Sequence, residues 1–326
     1  MKVLAGDIGG TNARLAIVEI VDGRASLLHD RVVGSHSVNG LAMLVDEFRR
    51  SAPMDGVERA CLAIAAASVD GVWRPPNLPW EIRSATAAAA TGIPATTVIN
   101  DFAALGHSLP VLRADDIVTL QTGEPDPDGT RALIGAGTGL GMSFVLRDGD
   151  GASVHPSEGG HADFAPRTPI ECELLTFLRG RHSRVSAERI LSGRGLEALY
   201  DFSVQRGEHA ELAGTAMEMK SEDPAAVVTR HAIAGDDPLC VMALHLFLDV
   251  FGAVAGNLAL TVLATGGVYL GGGIAPRLEQ PLRDGPFLSA FATKGRLSPL
   301  LARMPIHLIR TPNAGLLGAA AVAVAG

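Results

Sequence analysis

Apolar, β-branched stretches recur along the first third of the chain, and each ends on a polar or glycine-rich turn. The strands predicted from this pattern are residues 3–6, 13–19, 25–33, 57–66 and 96–99. Residues 37–50 carry apolar side chains at helical spacing, and residues 84–91 are predicted to form a second helix that ends at Gly92. Strands followed by alternating helices and strands are typical of an α/β fold.

The rest of the chain repeats part of this pattern. Its predicted strands are residues 131–136, 142–146, 268–270 and 306–310. Residues 169–265 are predicted to be mainly helical, with Ser186 as an N-cap, and Asn313 opens an apolar helix expected to pack on the N-terminal part. Residues 110–128 are polar and punctuated by proline, which predicts a connection.

These boundaries and the length of 326 residues predict two domains. We place a small α/β domain at residues 1–110 plus 303–326 and a large α/β domain at residues 111–302.

Composition narrows the class of partner. The 47% of hydrophobic and 19% of charged residues fit a compact globular protein. A net charge of −8, with lysine only at Lys2, Lys220 and Lys294, argues against a nucleic-acid partner. Cys61, Cys172 and Cys240 lack metal-binding spacing, which favours reduced cysteines in a cytoplasmic protein.

One uncharged stretch, residues 250–276, is long enough to be considered as a membrane span. Asn257 and the glycine pairs that interrupt it favour a buried helix followed by a buried strand. No signal-peptide core follows Lys2, and we expect neither a targeting segment nor a membrane partner.

The predicted strand at residues 96–99, which we expect to be buried, ends abruptly on Asn100 and Asp101. A carboxylate at such a strand end is a candidate general base. The alternative is that Asp101 only caps the predicted helix at residues 102–108.

Glycine-rich turns follow three of the predicted strands, at residues 6–12, 137–141 and 271–273. The P-loop, dinucleotide-binding and protein-kinase motifs are absent, since no lysine follows a glycine and residues 140 and 142 are Leu140 and Met142. Successive backbone amides in such turns can bind phosphate without lysine. Each turn alone is also compatible with a purely structural hairpin.

Glu158-Gly159-Gly160-His161 is a further polar group of residues. Its two glycines disfavour the helix that a carboxylate-bridged metal site would require. As a loop, it offers Glu158 and His161 to a polyhydroxy ligand, although a surface turn is an equal alternative. Glu188, taken alone, is better explained as a simple charge at a helix N-terminus.

Together these motifs, in this order and over nearly the whole chain, resemble those of the bacterial ATP-dependent glucokinases. The resemblance implies the actin-like, hexokinase-type ATPase fold, which is ribonuclease H-like and has two α/β domains with an interdomain cleft. It implies ATP-dependent phosphorylation of D-glucose at the 6-hydroxyl, with glucose and ATP as ligands. It also implies a homodimer in the cytoplasm.

The resemblance assigns roles by position. Asp101 matches the catalytic base, and the residues matching glucose-binding positions are Asn100, Asp101, Glu158, His161 and Glu188. The residues matching nucleotide-binding positions are Gly6, Asp7, Ile8, Gly9, Gly10, Thr11, Gly137, Thr138, Gly139, Gly272 and Gly273. Magnesium is expected to arrive with ATP, with Asp7 contacting it through water and no direct protein ligand.

Three positions depart from the family pattern. Ala66-Ala67 replaces a usual Gly-Pro, Pro76 stands where threonine is usual, and Arg194 replaces a usual proline. The first two affect the sugar side, so a kinase for another hexose, such as mannose or fructose, remains an alternative. A non-catalytic sugar or nucleotide sensor is the alternative from another class.

Overall fold

The structure is a computed structural model that describes residues 1–21, 23–75, 78–149 and 151–326. Contacts divide the chain into two compact units. Unit 1 comprises residues 1–117, 154–156 and 311–326, and unit 2 comprises residues 118–153 and 157–310. The domain boundaries predicted at residues 110/111 and 302/303 stay a prediction, because spatial contacts do not test which segments fold independently.

The β-strands are β1 Lys2–Ile8, β2 Asn12–Val21, β3 Arg24–Gly34, β4 Val57–Ile64, β5 Ser68–Val69, β6 Val72–Trp73, β7 Ile82–Arg83, β8 Ala95–Asn100, β9 Ile117–Gln121, β10 Arg131–Ala136, β11 Leu140–Asp148, β12 Gly151–Ser157, β13 Gly267–Gly271 and β14 Ile306–Ile309. The α-helices are α1 Leu41–Arg49, α2 Ser84–Thr91, α3 Asp101–Ser108, α4 Pro169–Arg179, α5 Gly193–Arg206, α6 Ala213–Ser221, α7 Pro224–Ala234, α8 Pro238–Val262, α9 Glu279–Asp284, α10 Phe287–Ala292, α11 Ser298–Arg303 and α12 Ala314–Ala325. Short 3₁₀ helices lie at Ser35–Ser37, Ala114–Asp116, Gly159–His161, Ala187–Arg189, Ala275–Leu278 and Gly295–Leu297.

Unit 1 is built on a five-stranded sheet with the order β3-β2-β1-β4-β8. Successive residues of β1 face opposite sides, as strand geometry requires. Leu4 and Ile8 pack in one core with Phe48 of α1, whereas Val3 and Ala5 pack in a second core with α12. Both faces of the sheet are therefore covered.

Three parallel strands of this sheet end side by side. In the register, Ile8 of β1 pairs with Ile64 of β4, and Ile64 pairs with Asn100 of β8. The segments that follow these strands consequently leave the sheet at one edge, where α/β proteins place ligands.

Unit 2 is built on a six-stranded sheet with the order β12-β11-β10-β13-β14-β9. Strands β10 and β13 are parallel, with Gly135 paired to Gly271, so the turns after them also emerge together. The core beside this sheet contains Phe247, Phe251 and Phe287, whose neighbouring rings lie 5.9 and 5.3 Å apart between centroids.

The uncharged stretch at residues 250–276 is the end of α8 followed by β13, as predicted. Helix α8, Pro238–Val262, is long and apolar enough to cross a membrane by composition, but 72% of its most apolar window is buried in the structure. It is a core helix of unit 2, since Phe247 and Phe251 on it are fully buried.

Two predictions were wrong in detail. Residues 96–99 do not form a buried strand, because β8 is an edge strand of its sheet and Thr97 is exposed. The predicted connection at residues 110–128 contains β9, an edge strand of the unit 2 sheet. A five-residue strand flanked by acidic residues and prolines is too short for its alternation of apolar and polar residues to be recognised in the sequence.

Candidate active site

The junction between β8 and α3 holds Asn100 and Asp101. Asn100, not Asp101, is the N-cap of α3, because its Oδ1 accepts hydrogen bonds from the backbone N–H groups of Phe102 at 2.9 Å and Ala103 at 3.1 Å. Asp101 is the first residue of the helix, and its Oδ1 also accepts the Phe102 N–H at 2.9 Å. The capping alternative for Asp101 is therefore wrong, although its carboxylate is oriented at the positive end of the helix.

The Asn100 side chain has a second anchor in unit 1. Its Nδ2 donates to the carbonyl of Ala66 at 3.2 Å. The acceptor is the backbone carbonyl of residue 66, so the alanine that departs from the family pattern at this position does not prevent the hydrogen bond. The other departure on the sugar side, Pro76, lies outside the described residues.

The first glycine-rich turn is the tip of the hairpin between β1 and β2. Of its predicted residues, Gly6, Asp7 and Ile8 lie within β1, so Gly9, Gly10 and Thr11 form the turn itself. The Gly9 N–H donates to Asn12 O at 3.0 Å, and Ser35 N–H donates to Thr11 O at 2.9 Å. These bonds fix the turn against the sheet.

Asp7 lies opposite Arg14 in the β1–β2 register and against the N-terminus of α12. Burial raises the pKa of Asp7, and the Arg14 guanidinium lowers it in part. The same guanidinium donates to Asp30 at 2.9 Å from Nε and to Asn313 Oδ1 at 2.6 Å from Nη1. A Cβ on Gly315 would lie 2.8 Å from Asp7 Oδ2, so only glycine allows this approach without displacement.

The second glycine-rich turn joins β10 to β11 in unit 2. Inside it, the Gly137 N–H donates to Gly139 O at 2.8 Å. The Gly137 carbonyl accepts the N–H of Gly193 at 2.9 Å, a backbone contact that the Arg194 departure does not alter. Thr138 is exposed at the tip of the turn.

The third glycine-rich turn packs against the second. The Ile274 N–H donates to the carbonyl of Ala136 at 3.1 Å. Gly272 has a φ of 80° and stands so close to Ala136 that a Cβ would lie 2.5 Å from its carbonyl oxygen. Gly272 and Gly273 thus lie beside the second turn, and their assignment to the nucleotide stays a prediction.

Glu158, His161 and Glu188 come together in unit 2. His161 Nε2 lies 3.7 Å from Glu158 Oε2, and His161 Nδ1 lies 3.7 Å from Glu188 Oε1. Glu158 and His161 are each 54% exposed and are therefore accessible to a ligand. Two carboxylates around one imidazole can hydrogen-bond the hydroxyl groups of a sugar.

Glu188 has a structural partner as well. It lies in the short 3₁₀ helix Ala187–Arg189, and its Oε2 accepts the N–H of Leu140 at 3.0 Å. It is consequently not a simple charge at the start of an α-helix. Ser186 precedes the 3₁₀ helix but makes no side-chain cap, whereas Ser192 Oγ caps α5 by accepting from Gly195 N–H at 3.1 Å.

Three residues of these sites were not predicted from the sequence. Asn313 and Gly315 meet the Arg14 and Asp7 side chains, and Arg184 donates to Asp163 Oδ1 at 2.7 Å and also to the carbonyl of His161. The asparagine and glycine at the start of the last helix were the only visible signal for the first two. Nothing in the sequence marks Arg184.

Among the described residues, no group of three or more His, Cys, Asp and Glu side chains could hold a metal ion. The expectation that no side chain binds magnesium directly stays a prediction. Asp7, at the end of β1, is the carboxylate beside the first turn.

Comparison with known proteins gives consistent matches over the full length. A family model described as Glucokinase matches residues 4–325. The glucokinase of Nostoc sp. (strain PCC 7120 / SAG 25.82 / UTEX 2576) is 41% identical over 335 residues, covering 98% of this chain and 97% of that protein. The glucokinase of Synechocystis sp. (strain ATCC 27184 / PCC 6803 / Kazusa) is 38% identical over 347 residues, covering 99% and 98%.

Among solved structures, a glucokinase from an Antarctic psychrotroph superposes with a TM-score of 0.83 and 32% sequence identity. The match covers 100% of this chain and 99% of that chain.

Proposed function

Because this chain belongs to the glucokinase family and is therefore a sugar-phosphorylating enzyme, we propose that it transfers the γ-phosphoryl group of ATP to the 6-hydroxyl of D-glucose. The products are glucose 6-phosphate and ADP. The same family membership supports a cytoplasmic homodimer. Analytical ultracentrifugation of the purified protein would test the dimeric state.

The observation that carries the proposal is the β8–α3 junction. Asn100 caps α3 through two N–H groups, so the helix start does not depend on Asp101 as its cap. The Phe102 N–H at 2.9 Å orients the Asp101 carboxylate, and the helix N-terminus stabilises its negative charge. Asp101 is thus suited to act as a general base.

In the proposed reaction, the 6-hydroxyl oxygen of glucose attacks the γ-phosphorus and its proton passes to Asp101. The bond between the γ-phosphorus and the bridging oxygen breaks, and ADP leaves with that oxygen. Phosphoryl transfer depends mainly on positioning and charge stabilisation, so little covalent chemistry is required of the protein.

The phosphates would be held by backbone N–H groups of the turns around Gly9 and Gly137, with Gly272 and Gly273 beside the adenosine. Anion binding by successive amides needs no lysine, which fits a chain with three lysines in all.

Magnesium bound to ATP would neutralise phosphate charge. The donor set fits an ion carried by the nucleotide, because Asp7 is a single carboxylate beside the first turn and the described residues contain no cluster able to hold a metal alone. Asp7 would contact such an ion through water.

The sugar hydroxyls would be bound by Asn100, Asp101, Glu158, His161 and Glu188. Several polar groups that each pair with a hydroxyl discriminate strongly between hexoses, because a missing or inverted hydroxyl leaves one of them unpaired.

An ADP-release assay over glucose, mannose and fructose tests the acceptor, and coupling to glucose 6-phosphate dehydrogenase tests the position of phosphorylation. We expect the highest kcat/KM with glucose and ATP. A faster reaction with mannose or fructose would make the enzyme a kinase for that hexose, and the absence of turnover with any sugar would favour a sensor.

A further inference from the structure

Glu188 is the residue through which the proposed sugar and phosphate sites of unit 2 are joined. Its Oε1 faces His161 Nδ1 at 3.7 Å, and its Oε2 accepts the Leu140 N–H at 3.0 Å. These two partners belong to different functional segments, since His161 lies on the sugar loop and Leu140 ends the turn at residues 137–139. Glu188 and Leu140 are 48 residues apart in the sequence.

We propose that Glu188 is a positioning residue for the phosphate-binding turn at residues 137–139, in addition to its contact with the sugar. This inference rests on the proposed function, which assigns the turn to the phosphates of ATP.

The local packing explains why this hydrogen bond would set the position of the turn. Leu140 pairs with Ala136 across the hairpin, so its N–H direction and the course of the turn are linked. A Cβ on Gly139 would lie 2.5 Å from Glu188 Oε2, which shows that the carboxylate rests directly against the backbone of the turn.

The carbonyl side of Leu140 is held by the sugar loop. The backbone of Gly160 stands against the Leu140 carbonyl so closely that a side chain at residue 160 would overlap it. Leu140 is therefore fixed on its N–H side by Glu188 and on its carbonyl side by Gly160. Removing the Glu188 carboxylate leaves the Leu140 N–H without its acceptor.

The burial of Glu188 supports a role that a surface carboxylate would not have. Its side chain is 30% exposed, against 54% for Glu158 and His161. A hydrogen bond from a backbone N–H to a charged acceptor in a partly buried site contributes more than one between neutral groups at the surface.

Calorimetric titration of MgADP into the glucose-free enzyme tests the proposal, because sugar contacts cannot influence that measurement. We expect Glu188→Ala to weaken ADP binding by about tenfold, the usual effect of losing a charge-assisted hydrogen bond. Glu188→Gln should bind ADP within about twofold of wild type, since an amide oxygen can still accept the Leu140 N–H. A role confined to the sugar predicts equal ADP affinity for all three proteins.

Glu197→Ala is the matched control, because it removes one exposed glutamate from the following helix, α5, without a contact to the turn. If Glu188→Ala fails to fold, as judged by its melting temperature, Glu188→Asp replaces it. That variant retains the charge but is one methylene too short to reach Leu140, so weakened ADP binding is again expected.

Wild-type affinity for ADP in a folded Glu188→Ala or Glu188→Asp protein would overturn the inference and leave the proposed function standing. A wild-type enzyme that binds no MgADP would overturn the proposed function itself, and the inference with it. The two failures are thus distinguishable in one set of titrations.

Discussion

Gly315 stands so close to Asp7 that a Cβ at residue 315 would lie 2.8 Å from the Asp7 carboxylate oxygen Oδ2. The second residue of α12 therefore determines where a carboxylate of β1 can lie. The two residues are 308 positions apart in the sequence (315 − 7), and all of unit 2 lies between them. The contact links the packing of the last helix to the proposed magnesium-facing group.

Gly315→Ala tests this contact. We expect a lower kcat and a higher KM for MgATP, because the added methyl group forces Asp7 to move. Together these changes should lower kcat/KM by about tenfold, which corresponds to about 1.4 kcal/mol of transition-state stabilisation. Gly214→Ala is the matched control, since Gly214 is also the second residue of its helix but has open space around it. Equal kinetics for the two variants would show that the position of Asp7 does not matter.

Asp101→Asn should lower kcat by about 10²–10⁴-fold, the usual contribution of a positioned general base. The melting temperature should stay close to that of wild type, because Asn100 caps α3 and the new amide oxygen can still accept the Phe102 N–H. Asn100→Ala serves as the contrasting variant and should cost about 1 kcal/mol of stability through loss of the cap. A kcat within about threefold of wild type for Asp101→Asn would rule out the base.

Gly137→Val probes the phosphate-binding turn. The nearest atom to a Cβ at residue 137 is Gly273 N at 3.8 Å, so the protein itself has room for a side chain there. We expect an unchanged melting temperature and a sharply raised KM for ATP, because the valine would occupy space that the phosphates need. Gly10→Val should act in the same way in the first turn. Wild-type ATP kinetics in both folded variants would contradict the assignment of these turns.

Glu158→Gln and His161→Ala should each weaken glucose binding while MgADP binding is retained, as titration calorimetry would measure. His161→Ala removes one hydrogen-bonding partner of a hydroxyl group, and Glu158→Gln replaces one charged acceptor oxygen by an amide donor. Each loss corresponds to about 1 kcal/mol or a fivefold loss of affinity. Parental glucose affinity in both proteins would show that the loop at residues 158–161 does not bind the sugar.

His231 gives a prediction for pH dependence away from the active site. Hydrogen bonds to Glu218 at 2.9 Å and to Asp236 at 2.8 Å raise its pKa. Since the folded pKa lies above the unfolded value, the stabilisation is fully present below the unfolded pKa, about 6.5, and is lost as pH rises through the folded pKa. The melting temperature of wild type should therefore exceed that of His231→Gln by more at pH 6 than at pH 9. An equal difference at both pH values would exclude this linkage.

The glucokinase family and the α/β fold class were both predicted from the sequence. The family match and the superposition on a solved glucokinase confirm them, and with them the two-domain actin-like fold. The nearly continuous apolar runs of β1 and β4 were sufficient to identify strands, because strands buried on both faces have few polar positions. The identity of the helix cap was not predictable in the same way. Asn100 and Asp101 are both good N-caps, and only the backbone direction at the end of β8 decides between them.

The contacts that organise the sites were beyond the reach of local patterns. Glu188 and Leu140 are 48 residues apart, and no periodicity relates them. The position of Glu188 just after the predicted N-cap Ser186 instead suggested a charge at a helix N-terminus. That explanation is local, whereas the contact in the structure is tertiary. Likewise, the glycines at residues 139, 160 and 315 are required by close backbone or carboxylate neighbours rather than by positive φ angles.

Helix α12 has a consequence for the biosynthesis of the enzyme. Its residues Leu316, Ala319 and Ala320 complete the core that contains Val3 and Ala5 of β1, yet they are translated after the whole of unit 2. One apolar face of the first sheet consequently stays uncovered on the ribosome until the last helix emerges. During that interval the uncovered apolar surface is prone to aggregation, and the core of unit 1 cannot be completed before all of unit 2 has been translated.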